Sequence, residues 1–142
     1  MNTKQLPPHY VHWTPRSSHH ADCAVVAISL ATGFTYEEAL SACLTVGPEV
    51  LHEGLTDRQT KKALKLLGFT VRMRTKRLNL EKSTGLLRVV DPKGTAHLTY
   101  LWGGRIIEPM KSDTTALWLN VADYIKDGKW TVEGLITLEE GA

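Results

Sequence analysis

The spacing of the apolar residues changes once along the chain, at Gly68, and this change limits the folds that are open to it. Before Gly68 the apolar positions recur with the period of helices, and after it they alternate with polar residues as in strands. Helices followed by a run of strands indicate an α+β domain with a mainly antiparallel sheet. A length of 142 residues predicts one domain, 1–142.

Three helices are predicted before Gly68, each with a sequence signal for its start or its end. The first is almost continuously apolar and should therefore be buried, and the other two begin at capping boxes. The first helix covers Cys23–Thr32 and ends at Gly33. The second starts at the capping box Thr35–Glu38 and runs to about Leu44. The third starts at the capping box Thr56–Gln59 and runs to Gly68, with Ala63, Leu64, Leu66 and Leu67 inward.

Five strands and one short helix are predicted after Gly68, and the segment 1–21, with three prolines, is predicted to be an irregular arm. Gly103 and Gly104 form the two-residue turn of a hairpin, which pairs Trp102 with Arg105. The strands are predicted over Phe69–Arg74, Leu86–Val90, Thr95–Trp102, Arg105–Glu108 and Thr131–Leu138, and the helix over Val121–Lys126.

Composition excludes several classes of protein. The chain has two cysteines and no CxxC pair, which argues against a disulfide framework and for a reducing compartment. The N-terminus has no apolar run of the kind that signal peptides carry, and no stretch of about 18 apolar residues predicts a membrane span. A cytoplasmic protein without membrane contact is the expectation.

Cys23 is the first candidate for chemistry, because a core helix has no need of a thiol in its first turn. We predict that Asp22 caps this helix, which places Cys23 among unpaired backbone N–H groups. The partial positive charge of a helix N-terminus stabilises a thiolate, the form of cysteine that attacks a carbonyl carbon. The plainer interpretation is a small core residue.

His97 is the second candidate, on the strand of Thr95–Trp102. Extending the pairing of Trp102 with Arg105 sets Thr99 opposite Glu108, and alternation places His97 on the same face. A carboxylate at Glu108 can then hold one imidazole nitrogen and orient the other. The alternative is a histidine that belongs to the core.

The order of these residues resembles the papain-like cysteine peptidase superfamily, above all its small members, the bacteriocin leader peptidases of ABC transporters and short phage-encoded relatives. The similar pieces are Asp22-Cys23, the small residues from Ala27 to Ala31, the link Thr32–Tyr36, then His97, and Glu108 followed by a proline. The likeness covers roughly residues 20–109. It implies a papain-like α+β fold, with the N-terminal helices packed on the sheet.

The resemblance also implies roles. Cys23 would be the nucleophile, His97 the general base and later acid, and Glu108, where the family more often has Asp or Asn, the orienting carboxylate. The family carries a glutamine five or six residues before the cysteine as an oxyanion donor. Here that place holds Ser17 or Ser18, so the candidates are Ser17, Ser18 and His19, with the backbone N–H of Cys23.

The implied function is a thiol-dependent hydrolase or acyl-transfer enzyme that acts on an amide bond of a protein or peptide. Peptide cleavage, isopeptide cleavage and side-chain deamidation share the same thioester intermediate and remain open. No cofactor is expected. If the chain is phage-encoded, the host cytoplasm is the expected place of action.

A zinc site is one competing hypothesis, since imidazole and thiolate both suit zinc. The residues that suggest it are His9, His12, His19, His20 and Cys23. They lie beside prolines and lack a second ligand pair at zinc-finger spacing, so no metal site is predicted.

A basic surface supports another hypothesis. Residues 58–82 carry nine cations and one acid, a net charge of +8 in a chain whose total is +2. Anion-binding candidates are Arg72, Arg74, Lys76 and Arg77, which would suit nucleic acid or an acidic partner. No stacking aromatics accompany them, so a solvated face is the favoured interpretation.

A third hypothesis keeps the papain-like fold and loses the chemistry. Such a protein would be a binding module or an inhibitor of a host protein, with Cys23 and His97 as packing residues. Thiol reactivity separates it from the enzyme, because only an activated thiol alkylates well below a pH of about 8.5.

Overall fold

The structure, a computed structural model, describes residues 22–109 and 116–140. In these residues five α-helices and six strands follow one another, with one 3-10 turn at Leu80–Lys82. The helices are α1 (Cys23–Thr32), α2 (Tyr36–Val46), α3 (Val50–Glu53), α4 (Asp57–Leu66) and α5 (Val121–Gly128). The strands are β1 (Phe69–Arg74), β2 (Gly85–Val90), β3 (Ala96–Trp102), β4 (Arg105–Pro109), β5 (Ala116–Asn120) and β6 (Thr131–Glu140).

The six strands form one sheet in the order β1-β6-β2-β3-β4-β5, and each neighbouring pair is antiparallel. The chain runs from β2 to β5 by short connections between neighbours, whereas β6 returns to lie between β1 and β2. Four helices precede the antiparallel sheet and one, α5, lies between β5 and β6, and the predicted α+β class is confirmed.

The sheet carries a hydrophobic core on each face. One core packs α1, α2 and α4 against alternate residues of the strands, among them Leu98, Tyr100 and Trp102 of β3. The other packs Leu101 of β3 with residues of α5, including Tyr124. Neighbouring residues of β3 thus face different cores, as the alternation of side chains along a strand requires.

The helix starts follow the sequence closely. α1 is buried at eight of its ten positions and ends at Gly33, whose φ of 88° suits glycine. Both capping boxes form: the Thr35 hydroxyl accepts from the backbone N–H of Glu38 at 3.2 Å, and that of Thr56 from Gln59 at 3.1 Å. These predictions are confirmed.

Leu66 departs from the prediction. It is 58% exposed, while Ala63 and Leu64 are fully buried and Leu67 packs partly against the core. The prediction that Leu66 points inward is wrong: Leu66 is the last residue of α4, and its side chain is exposed to solvent.

Two short elements, α3 and β5, were not predicted. α3 has four residues and follows Gly47 and Pro48, which leaves no length for a helical period to show. β5 is a five-residue segment just before α5, and an apolar run of that length does not distinguish strand from helix. Among the described residues, no helix has the length and apolarity that a membrane span requires.

Candidate active site

Cys23 is the first residue of α1 and is half-buried. The backbone N–H groups of this first turn point toward the start of the helix, where they favour a negative charge. The prediction for its position is confirmed. The thiol is thus placed where a thiolate gains stability from the helix.

Asp22 is the N-cap residue of α1, as predicted, and its carbonyl oxygen accepts from the backbone N–H of Val26, but its side chain makes no capping hydrogen bond. Its φ of −87° and ψ of 11° lie outside the extended region that capping side chains need. Its Oδ2 instead accepts a hydrogen bond from the Tyr36 hydroxyl at 3.1 Å. Asp22 is 8% exposed and Tyr36 is 2% exposed, so this hydrogen bond is buried. It ties the residue before Cys23 to the first residue of α2.

Tyr36→Phe is expected to lower the free energy of unfolding by about 1–3 kcal/mol, because it leaves a buried carboxylate without one of its donors. Urea denaturation measures the loss. Tyr100→Phe is the matched control: Tyr100 is also buried, and no hydrogen bond of its hydroxyl is found among the described residues. Equal losses in both variants would contradict a role for the Asp22 contact.

His97 is the second residue of β3 and is half-buried. Its imidazole stacks on the indole of Trp130, with ring centroids 5.6 Å apart and an angle of 22° between the planes. Tyr124 stacks on the same indole, with centroids 5.8 Å apart. The imidazole is therefore held by a column of aromatic rings from α5 and the segment after it.

Trp130 was missed as a site residue. It lies 33 positions after His97, and nothing local in the sequence marks the two rings as neighbours. One signal was present: Gly128 leaves room for the indole, since a Cβ at that position would overlap Trp130 Nε1. A glycine two residues before an aromatic residue is too common a pattern to identify the contact.

The hairpin of β3 and β4 has the predicted register, with Trp102 opposite Arg105 and Tyr100 opposite Ile107. Gly103 and Gly104 have φ values of 55° and 86°, the positive pair of a type I′ turn. Continued by one position, the register sets Glu108 opposite Thr99. The side chain of Glu108 lies outside the described residues.

The two faces of β3 bear on how the candidates can meet. Leu98 faces α1, whereas Leu101 faces the core of α5. His97 lies four residues before Leu101 on the same strand and therefore shares its face. Glu108 shares the face of His97 by register, and Cys23 belongs to the helix on the other side. A contact of the Cys23 thiol with the imidazole therefore requires the start of α1 to meet the start of β3 at the margin of the sheet.

Cys43 differs from Cys23 in its surroundings. It is fully buried in α2, and burial raises the pKa of its thiol to about 12. A thiol with that pKa stays protonated and unreactive near neutral pH. The structure therefore gives Cys43 a place in the core, and only Cys23 of the two cysteines has access to solvent.

The anion-binding candidates lie at one edge of the sheet. Arg72 and Arg74 are exposed on one face of β1, whose other face packs inward, and Lys76 and Arg77 are exposed in the turn that follows. β1 is an edge strand of the described sheet. The four cations thus form an exposed basic edge, three strands away from β3.

The remaining candidates belong to the arm. Ser17, Ser18 and His19, proposed as oxyanion donors, lie outside the described residues. So do the arm histidines of the zinc hypothesis, His9, His12, His19 and His20. Within 22–109 and 116–140, no three His, Cys, Asp or Glu side chains are grouped as a metal ion would need.

Comparisons by sequence identify no relative: no protein-family model matches the chain, and neither does any curated protein. Comparison with solved structures does find matches, and these define the class of fold. It is the papain-like α+β fold of transporter peptidase domains, and the predicted fold class is confirmed.

Three of these structures show how far the likeness extends. The peptidase domain of Streptococcus ComA, a bifunctional ABC transporter of a quorum-sensing pathway, has a TM-score of 0.66 and 15% identity, over 92% of this chain and 99% of that one. A double glycine motif protease from an AMS/PCAT transporter, in complex with its leader peptide, has a TM-score of 0.58 and 9% identity, over 88% and 89%. The peptidase domain of Streptococcus mutans ComA has a TM-score of 0.55 and 15% identity, over 90% and 98%.

Proposed function

We propose that the protein is a cysteine peptidase, with Cys23 as nucleophile, His97 as general base and acid, and Glu108 as the carboxylate that orients His97. The observation that carries the proposal is the position of Cys23. It is the accessible thiol at the first turn of a buried helix, in a chain that shares its fold with peptidase domains. The hairpin register from Trp102–Arg105 to Tyr100–Ile107 supports the other two roles, because its continuation would place Glu108 on the face of His97.

The proposed reaction is acyl transfer through a thioester. The Cys23 thiolate adds to the carbonyl carbon of an amide, and the proton held by His97 passes to the leaving amine as the C–N bond breaks. A water molecule then gives its proton to His97 and adds to the thioester, which releases the acid and restores the thiol. Backbone N–H groups at the start of α1 are the described donors that suit the oxyanion.

A peptide with a double-glycine motif is the substrate class that we propose. The double glycine motif protease among the similar structures is bound to a leader peptide, which favours peptide cleavage over isopeptide cleavage and deamidation. The thiol mechanism needs a reduced Cys23, so we propose that the protein acts in the cytoplasm, that of a host cell if the chain is phage-encoded.

The pH dependence of alkylation tests the proposal without a known substrate. We expect iodoacetamide to modify Cys23 rapidly at a pH of about 6, because a thiolate paired with an imidazolium persists there. In His97→Ala the reaction should require a pH near that of a free thiol, about 8.5. Peptide mass spectrometry reads each site separately.

Cys43 is the internal control of that experiment. With a pKa of about 12 and no exposure, it should stay unmodified throughout while the protein is folded. If Cys23 reacts no faster than the same thiol in urea, the thiolate is not stabilised. The fold would then serve a binding protein, and the exposed basic edge would be the surface to examine.

A further inference from the structure

The strand β1 has two different faces. Arg72 and Arg74 are exposed on one face, whereas Val71 and Met73 on the other face pack against the core of α1, α2 and α4. Because the apolar face is held by the core, the two arginines have a fixed spacing along the strand. Their Cα atoms lie about 7 Å apart, the distance of two residues in a strand.

No carboxylate among the described residues neutralises the basic edge. Glu139 of β6 lines the same shallow depression as Arg72 and Arg74, yet it forms no ion pair with either of them. The same holds for every cation of the basic edge, none of which has an ion pair with a described residue. These cations are Arg72, Arg74, Lys76 and Arg77. Their charges are therefore available to an anionic ligand.

The outer side of β1 also offers backbone hydrogen-bonding groups. β6 pairs with β1 from Phe69 to Arg74 on one side, and no described strand lies on the other side. Alternate residues of an edge strand direct their N–H and C=O groups away from the sheet, where a further strand can pair with them. Cations on an edge repel a second strand that is also basic. A strand that carries carboxylates is attracted instead.

We propose that the basic edge binds an extended acidic peptide segment, which adds to the sheet as a strand beside β1. Carboxylates at alternate positions of that segment lie opposite Arg72 and Arg74, because residues two apart have the same spacing in both strands. Lys76 and Arg77 add to the attraction at longer range. Cys23 takes no part in this binding, so the proposal does not rest on the proposed function.

A peptide strand suits this edge better than a nucleic acid does. Proteins that bind single-stranded nucleic acids combine phosphate contacts with stacking on aromatic side chains, and residues 70–77 include no aromatic residue. Glu139 in the depression repels a phosphate backbone, whose charge is continuous, whereas a peptide can place its carboxylates opposite the arginines alone. A nucleic acid also leaves the outer backbone groups of β1 without the partners that a strand supplies.

Titration with a synthetic peptide tests the proposal. The probe is a short peptide in which glutamate alternates with threonine, and its counterpart has glutamine in place of glutamate. We expect the acidic peptide to shift the backbone amide NMR signals of residues 69–77 in isotope-labelled protein. The glutamine peptide should bind about tenfold more weakly or less, because two charged cross-strand pairs are lost.

Charge reversal at the edge tests the role of the arginines. Arg72→Glu combined with Arg74→Glu should abolish binding of the acidic peptide and allow binding of a peptide with lysine in place of glutamate. The matched control is Arg58→Glu combined with Lys62→Glu, which makes the same change of charge at exposed positions of α4. This control should retain most of the affinity for the acidic peptide. Equal losses in the two double variants would show that net charge alone attracts the peptide and would overturn the proposal.

Methylation of the peptide nitrogens tests the pairing of the strands. Methyl groups on the alternate amides that face β1 block the hydrogen bonds, whereas methyl groups on the other amides leave them intact. We expect one methylated peptide to lose binding and the other to keep it. Equal effects of the two sets would contradict an added strand. Tighter binding of a deoxythymidine oligonucleotide would assign the edge to nucleic acid, and no shift with any probe would show a solvated edge; either result would overturn the proposal.

Discussion

Cys23→Ala is expected to abolish cleavage of a double-glycine leader peptide while stability stays close to that of the wild type. Without the thiol no thioester can form, and the half-buried side chain leaves only a small space when it is shortened. His97→Ala should reduce the rate by about 10²–10⁴-fold, the usual contribution of a general base. Mass spectrometry of the peptide products, with enzyme in excess over peptide, measures both rates.

Cys43→Ala is the matched control for the loss of a thiol. Cys43 lies in the core with its thiol protonated, so this variant should keep the wild-type cleavage rate even if it is somewhat less stable. Unfolding curves for all three variants separate lost chemistry from lost structure. Cleavage that persists in Cys23→Ala would end the assignment of the nucleophile.

Gly104→Ala should be among the most destabilising single changes in the chain. Gly104 has a φ of 86°, and a Cβ there would overlap the backbone carbonyl oxygen of Glu81. The left-handed conformation costs an alanine about 1–2 kcal/mol, and forced overlap in a packed site adds about 1–3 kcal/mol. We therefore expect a loss of about 2–5 kcal/mol in the free energy of unfolding, measured with urea.

Gly94→Ala isolates the contribution of the overlap. Gly94 has a φ of 87°, almost the same as that of Gly104, but no atom lies within 4 Å of the position that a Cβ would take. Its loss should be about 1–2 kcal/mol, from the backbone conformation alone. The gain from a less flexible unfolded chain is the same in both variants and cancels. Equal losses in the free energy of unfolding would show that a Cβ at position 104 does not overlap the backbone of Glu81.

The parts of the fold that the sequence predicts well are those set by local chemistry. Capping boxes at Thr35 and Thr56 mark helix starts because the hydrogen bonds of each box join residues within one stretch of four. The turn at Gly103 and Gly104 fixes the register of the hairpin for the same reason. The turn residues and the alternation of side chains are therefore enough to predict that Glu108 and His97 share a face.

The parts that could not be predicted depend on contacts between distant segments. Asp22 is a residue type that often caps helices with its side chain, but its carboxylate accepts from Tyr36, fourteen residues later, and no local pattern indicates that contact. The stacking of Trp130 on His97 requires β6 to lie beside β2, which no local pattern indicates. The exposure of Leu66, the last residue of α4, likewise depends on which part of the helix the rest of the fold covers.

The position of β6 has a consequence for the order of folding. During synthesis β1 is made early and β2 soon after, yet neither strand pairs with the other. Until β6 is available, β2, β3, β4 and β5 can pair with one another, while β1 stays unpaired beside the helices. Contacts between β1 and β6 join residues about 65 positions apart, and such distant pairings form slowly. The hydrogen-bonded sheet thus becomes continuous in a single late step, when β6 pairs with β1 and β2 at once.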